Sequence, residues 1–155
     1  IQRGQGLIEY IETGVPMDAK VTAELLLQIF YPNTPLHDGA VIIVENRVKA
    51  ASCVMPLSAS GVLNRSPDRT MGLRHRAALG ISEVSDAIAV VVSEETGSIS
   101  IAQNGKMIRR LNMERFQNTL HAFFQPAELP AGKSLFSRLR ALFAPESDQG
   151  SGGGA

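Results

Sequence analysis

The sequence predicts one α/β (α+β) domain in which helices flank a mixed, largely antiparallel central sheet. Short apolar runs rich in valine and isoleucine alternate with segments of helical periodicity. Turn signals such as Glu45-Asn46-Arg47 and Asn104-Gly105 separate neighbouring runs, and hairpins of this kind require antiparallel pairs. With 155 residues, of which 44% are hydrophobic, the chain is long enough for one real core but short for two.

The first half of the chain is predicted to hold one helix and one hairpin. Residues 1–13 have the pattern of a strand end followed by a connector. Asp18 is the candidate N-cap of a helix that runs to about Phe30, where prolines follow and end it. Residues 40–45 and 48–55 are predicted to form a hairpin that is buried on both faces.

Residues 57–124 are predicted from the same patterns to contain a loop, two helices and three strands. In chain order these are a loop over 57–70, a helix over 74–82, strands over 87–93, 98–103 and 106–111, and a helix over 113–124. Residues 126–145 are predicted to form a separate amphipathic helix, which would pack on its own domain, on a partner or on a membrane surface. Residues 146–155 are rich in serine and glycine and are predicted to be disordered.

Composition excludes several classes of function. Fifteen basic and fifteen acidic residues give a net charge of zero, which argues against a broad nucleic-acid-binding surface. The single cysteine, Cys53, excludes an internal disulfide and a cysteine-based zinc site, and its apolar neighbours predict that it is buried. No apolar run reaches the roughly 20 residues that span a bilayer. Because the chain begins at Ile1 without a methionine, we expect it to be a piece of a longer protein.

A first motif, Leu36-His37-Asp38-Gly39-Ala40, places a carboxylate beside a glycine where a loop enters an apolar strand. Asp-Gly is also a common turn pair, so a purely structural role is one interpretation. In the functional interpretation, Asp38 holds a metal or accepts a proton, and Gly39 lets a ligand approach the backbone. His37 is either a structural histidine or a metal ligand.

A second motif, Arg74-His75-Arg76, begins a predicted helix just after a glycine. Helix N-termini favour anions, and two arginines beside one form a plausible phosphate clamp. The alternative is a solvated basic first turn. The turn Ser93-Glu94-Glu95-Thr96-Gly97 ends a predicted strand, and it is either a solvated acidic turn or the rim of the phosphate site, with Ser93 and Glu95 facing the ligand.

The order of these motifs resembles the diadenylate cyclase (DAC, DisA_N-like) domain family over about residues 1–120, with the membrane-anchored CdaA type as the nearest branch. The segments that carry the resemblance are Ile11-Glu12-Thr13-Gly14, the run from Pro32 to Ala40, Pro56-Leu57-Ser58, the run from Arg74 to Glu83, and the run from Val92 to Gly97. The resemblance implies the DAC-domain fold and a homodimeric nucleotidyltransferase. Such an enzyme condenses two ATP into cyclic di-AMP and two pyrophosphates with Mg²⁺ or Mn²⁺.

The resemblance also implies roles for individual residues around the nucleoside. Asp38 would act at the 3′-hydroxyl of the bound ATP, and Gly39 and Ala40 would line the pocket. The metal would lie among the phosphates with His37 and Asp38 as protein ligands. Met55 falls where the family places an apolar residue against the adenine.

The phosphates would be held by the second motif and by the acidic turn. Arg74, His75 and Arg76 would bind the triphosphate, and Ser93 and Glu95 would complete its surroundings. The two copies must meet face to face, because each ATP presents its 3′-hydroxyl to the α-phosphorus of the other.

The same resemblance implies the protein's context. Residues 1–125 would be the catalytic domain without its N-terminal helix and most of an edge strand. A preceding segment would anchor the full-length protein at the cytoplasmic face of the bacterial membrane, while this piece alone is expected to be soluble. The expected partners are ATP, a second copy and a regulatory protein, with no nucleic acid.

The sequence departs from the family pattern at Leu73, where a threonine is usual, and over 58–70, where the loop is longer. The alternative function is therefore a catalytically impaired nucleotide-binding or regulatory module of the same fold. A third possibility is a plain interaction domain that uses the C-terminal helix.

Overall fold

The computed structural model describes residues 6–59 and 71–124. The chain divides into two compact units, Ile1–Thr119 and Leu120–Ala155, and only 120–124 of the second are described. The elements, in chain order, are α1 (Ile8–Ile11), β1 (Val15–Lys20), α2 (Ala23–Ile29), β2 (Ala40–Val44), β3 (Arg47–Cys53), α3 (Leu73–Val84), β4 (Ala89–Val92), β5 (Ile99–Gln103), β6 (Lys106–Leu111) and α4 (Met113–Phe124).

The strands form two antiparallel sheets of three strands each. The first has the order β1-β3-β2 and the second has the order β4-β5-β6. The predicted class, antiparallel strands with helices, is confirmed, and within the described ranges hydrogen bonding divides the predicted central sheet into these two. Both predicted hairpins are present, because β2 pairs with β3 and β5 pairs with β6.

Two predictions for the N-terminal part are wrong. A short helix, α1, occupies the segment that was expected to be a strand end and connector. Asp18 is not an N-cap, because it lies within β1, where Arg47 Nε and Lys49 Nζ donate to its carboxylate at 2.8 and 2.7 Å and lower its pKa to about 2. Thr22 is the cap of α2, and its hydroxyl accepts from the Leu25 amide at 3.1 Å.

The remaining predicted elements that fall on described residues are present. Their bounds differ from the predicted ones by at most two residues, which is the usual uncertainty at element ends. The part of the 57–70 loop beyond residue 59, the helix expected over 126–145 and the tail over 146–155 lie outside the described residues. None of the described helices is long and apolar enough to cross a membrane.

One hydrophobic cluster joins the first sheet to α3. Cys53, at the end of β3, is only 1% exposed, as predicted, and it packs in this cluster with Ile42 of β2 and Ile81 of α3. Ala40 and Met55 pack against the same cluster from its edge. The start of β2, the end of β3 and α3 therefore form one packed unit, and the two sequence motifs lie at its borders.

Candidate functional site

The first motif lies between α2 and β2, and its backbone is held against β3. Ser52 Oγ donates to the carbonyl oxygen of Asp38 at 2.7 Å, and Ala40 pairs with Cys53. Gly39 has a φ of 97°, and a Cβ there would lie 2.8 Å from the carbonyl carbon of Ser52. The glycine is thus required by the close approach of β3. Asp38 itself is exposed, so a fixed backbone presents its carboxylate to solvent.

His37 is half-buried and is oriented by its own loop. Its Nδ1 lies 2.5 Å from the carbonyl oxygen of Thr34, which can only accept, so Nδ1 donates in this hydrogen bond. Within 6–59 and 71–124 no group of three or more histidine, cysteine, aspartate or glutamate side chains could hold a metal. The neighbouring His37 and Asp38 offer a nitrogen and a carboxylate, which suits an ion that takes its other ligands from phosphates and water.

Arg74 is the exposed member of the second motif. Its Nη2 lies 2.5 Å from Oε1 of Glu94, in the turn that follows β4. The two side chains are 45% and 68% exposed, and ion pairs this exposed contribute roughly 0–1 kcal/mol. An incoming phosphate could therefore replace Glu94 at little cost.

The turn after β4 is held by its own backbone, and it brings Glu94 rather than the predicted Glu95 to the second motif. Ser93 N–H donates to the Ser98 carbonyl at 2.9 Å, and its hydroxyl accepts from the Thr96 amide at 3.3 Å. Glu95 is exposed and Ser93 is half-buried. Sequence reasoning missed Glu94 because two acidic residues adjoin and only the turn decides which one faces α3.

His75 points away from the surface on which Arg74 lies. It is 9% exposed, and its Nε2 lies 3.4 Å from the Ser100 hydroxyl of β5. Burial, and secondarily the positive charge of Arg109, lowers the pKa of His75 below its ordinary 6.5. The structure therefore does not place all three side chains of the second motif on one face. It joins His75 to the second sheet.

We expect the free energy of unfolding to decrease as the pH falls below about 6.5, because the unfolded chain binds a proton that folded His75 resists. The contribution of His75 to the free energy of unfolding is complete above the pKa that this residue has in the unfolded chain. It is lost as the pH falls towards the lower pKa that His75 has in the folded chain. Urea unfolding at pH 7.5, 6.5 and 5.5 measures the slope. The variant His75→Gln should flatten this slope, and His121→Gln, at an exposed position of α4, should not. An unchanged slope in His75→Gln would contradict the expectation.

Arg76 is half-buried and reaches the segment that follows β3. Its Nη2 lies 3.5 Å from the carbonyl oxygen of Ser58, while its Nε is buried and has no hydrogen-bond partner among the described residues. The Ser58 amide donates to the Arg76 carbonyl at 3.0 Å, so the contact also involves the backbone.

Met55 lines an open depression of about 340 Å³ between α1 and the end of β3. The lining residues are Glu9, Tyr10, Thr13, Val54, Met55 and Pro56. Thr13 holds the two walls together, because its hydroxyl donates to the Tyr10 carbonyl at 2.6 Å and accepts from the Val54 amide at 2.9 Å. An aromatic ring, a thioether and a proline suit a flat apolar group.

The structure combines an exposed carboxylate at the start of a strand, arginines at a helix N-terminus and a nearby apolar depression. This combination is typical of a small α/β domain of the nucleotide-binding class. A family profile described as "DisA bacterial checkpoint controller nucleotide-binding" (DAC) matches residues 1–107. The chain belongs to the DAC family, and the resemblance of its motifs to that family is confirmed.

The relatives and solved structures found by comparison agree with this assignment. "Cyclic di-AMP synthase CdaA" of Bacillus subtilis is 51% identical over 125 residues, which are 81% of this chain and 44% of that protein. "Diadenylate cyclase" of Listeria monocytogenes is 50% identical over 120 residues, 77% and 42% of the two chains. The chain thus spans less than half the length of these curated relatives. The predicted CdaA type is confirmed by these matches.

The structural comparisons support the fold. A crystal structure of a DacA double mutant from Staphylococcus aureus has a TM-score of 0.73 and 46% identity, covering 80% of this chain and 81% of that one. A Bacillus cereus structure described as a hypothetical membrane spanning protein has a TM-score of 0.64 and 44% identity, covering 72% and 52%.

Proposed function

We propose that this chain is a diadenylate cyclase domain that condenses two ATP into cyclic di-AMP and releases two pyrophosphates. One observation carries the proposal: Asp38 exposes its carboxylate to solvent while Ser52 holds its backbone in place. The same packed unit includes α3, the helix on which the arginines lie. The curated relatives named as cyclases support the same reaction.

Formation of cyclic di-AMP requires a carboxylate that accepts a proton and a second chain that holds the other ATP. Asp38 accepts the proton of an ATP 3′-hydroxyl, the oxygen forms a bond to the α-phosphorus of the second ATP, and the bond to pyrophosphate breaks. The product contains two such bonds, so the step occurs twice in opposite directions. A homodimer whose sites face each other satisfies this requirement, whereas one chain alone binds ATP without turnover.

The phosphates bind at the start of α3. Arg74 exchanges Glu94 for phosphate oxygens, and Arg76, tied to Ser58, adds a second guanidinium. His75 contributes by fixing the helix start to β5. The turn that holds Ser93 and Glu95 forms the rim of this site.

The nucleoside lies towards the first motif and the depression. Met55 and the ring of Tyr10 pack on the adenine, and Gly39 and Ala40 line the ribose side. His37 and the Asp38 carboxylate would hold Mg²⁺ or Mn²⁺, with the phosphates supplying further ligands. When bound there, such an ion would supply positive charge that offsets the phosphate charge and would make the hydroxyl more acidic.

Incubation of the purified chain with ATP and either Mn²⁺ or Mg²⁺ tests the proposal. The expected product has the mass of cyclic di-AMP, with two pyrophosphates released per product. A preparation that dimerises and binds ATP but forms no product would contradict it.

A second candidate is a nucleotide-binding module of the same fold without turnover. Leu73 favours it, because the first residue of α3 is 68% exposed and offers no hydroxyl where the family usually has threonine. The variant Leu73→Thr helps to separate the candidates: ATP binding without product in both chains supports the module, while product formed by the chain with Leu73 supports the cyclase.

The proposal extends to the whole protein. A membrane anchor outside this chain places the domain at the cytoplasmic face of a bacterial membrane, where a regulatory protein acts on it. The description of the Bacillus cereus relative as a membrane spanning protein supports a membrane association of the whole protein.

A further inference from the structure

The five residues after β3, Val54 to Ser58, connect the apolar depression to α3, and we call them the strap. At one end, Val54, Met55 and Pro56 form a wall of the depression. At the other end, Ser58 is 1% exposed and lies on α3. The strap therefore runs from the proposed adenine site to the helix that carries the proposed phosphate site.

Three residues of α3 contact the strap, and they lie on one face of the helix. Arg76, Gly80 and Glu83 are spaced by four and three residues, which aligns them along the helix. The carbonyl oxygen of Arg76 accepts a hydrogen bond from the Ser58 amide at 3.0 Å. Glu83 Oε1 accepts the Ser58 hydroxyl at 2.6 Å, a charge-assisted hydrogen bond.

Gly80 allows the strap to lie directly on the helix backbone. A Cβ at this position would be 2.1 Å from the Pro56 carbonyl oxygen and 2.7 Å from the Ser58 amide nitrogen. No side chain of ordinary size fits between the strap and α3 there. The strap position is set by backbone contact at Gly80 and by the hydrogen bond between Ser58 and Glu83.

We infer that Ser58 and Glu83 are positioning residues that set the separation between the adenine wall and the phosphate-binding helix. Neither residue needs to touch the nucleotide, because Ser58 is buried against the helix and acts through Met55 and Arg76. ATP occupies both subsites at once, so its binding depends on their separation. The binding of a ligand that fills only one subsite does not depend on this separation. This inference rests on the proposed function.

Ligands of different length test the inference on the full 155-residue chain. We expect Glu83→Ala to weaken ATP binding about tenfold, the scale of one charge-assisted hydrogen bond. Adenosine and inorganic tripolyphosphate, which each fill one subsite, should bind within about twofold of wild type. Glu83 is exposed, so the variant leaves the core intact. Glu83→Gln keeps an oxygen acceptor for Ser58 and should restore most of the ATP affinity.

A matched pair of serines on the two sides of α3 gives the control. Ser58 and Ser82 are both 1% exposed, but the Ser82 hydroxyl donates to the Leu79 carbonyl at 2.7 Å and accepts from the Gly105 amide at 3.3 Å, and neither partner belongs to the strap. Ser58→Ala should selectively weaken ATP, and Ser82→Ala should change all three ligands equally or not at all. A double-mutant cycle of Ser58→Ala with Glu83→Ala should show coupling.

The outcomes separate this inference from the proposed function. Unchanged ATP binding in Glu83→Ala, or an equal loss for all three ligands, overturns the positioning role while the wild type remains a cyclase. A wild type that does not bind ATP overturns the proposed function and the positioning role with it.

Discussion

The variant Asp38→Asn is expected to form no measurable product while it still binds ATP. Asparagine keeps the shape of the side chain but cannot accept the proton of the 3′-hydroxyl. Removing a general base of this kind lowers the rate by about a hundred- to ten-thousand-fold. The fold should not change, because the Asp38 side chain is exposed and β3 holds this residue through its backbone carbonyl. Product mass after incubation with ATP and Mn²⁺ measures the loss.

Asp86→Asn is the matched control for this experiment. Asp86 is an exposed carboxylate in the turn after α3, at the opposite end of a 12-residue helix from Arg74. At 1.5 Å per residue that helix is roughly 18 Å long. The control should keep the wild-type rate. If Asp38→Asn retained more than a tenth of the wild-type rate as a dimer that binds ATP, the assignment of Asp38 would be wrong.

The variant Gly80→Ala is expected to destabilise the domain and to weaken ATP binding. Helix propensity alone predicts the opposite, because alanine in a helix interior is favoured over glycine by about 1 kcal/mol. The new Cβ would lie 2.1 Å from the Pro56 carbonyl oxygen, so either the strap or the helix must move. Overpacking of this kind costs typically 1–3 kcal/mol. The midpoint of urea unfolding should fall, and ATP affinity should fall with it.

Gly72→Ala is the comparison for stability. Gly72 caps the same helix, and a Cβ there would meet nothing within 4 Å. Its expected cost is at most about 1 kcal/mol, from the poorer cap that alanine makes. A Gly80→Ala variant as stable as wild type would show that the strap does not lie against α3.

Local patterns in the sequence were sufficient for most elements but not for the N-terminal ones. Asp18 and Thr22 are both good N-cap residues, so the sequence does not decide between them. In the structure, pairing with β3 draws Asp18 into β1, and α2 begins only after Thr22. Strand pairing joins residues that are far apart in the sequence, so patterns among neighbouring residues do not predict it.

The site shows the same division between local and distant information. The two motifs were recognisable because carboxylate, glycine and arginines at short spacing indicate anion and hydroxyl chemistry. Their neighbours were not, since Glu94 and Ser100 come from distant turns and strands. The separation of Arg74 at the surface from buried His75 also depends on how α3 packs on the second sheet.

Sequence patterns were enough to predict the class of fold and to single out the residues proposed for nucleotide chemistry, and the resemblance of the motifs indicated the DAC family. These follow from periodicity, turn residues and short motifs, all of which are local. The backbone contacts that require glycine at positions 39 and 80, and the hydrogen bond by which Ser58 and Glu83 join the strap to α3, are visible only in the folded chain. Ser58 and Glu83 are 25 residues apart in the chain, and such a contact exists only after the sheet and the helix have packed.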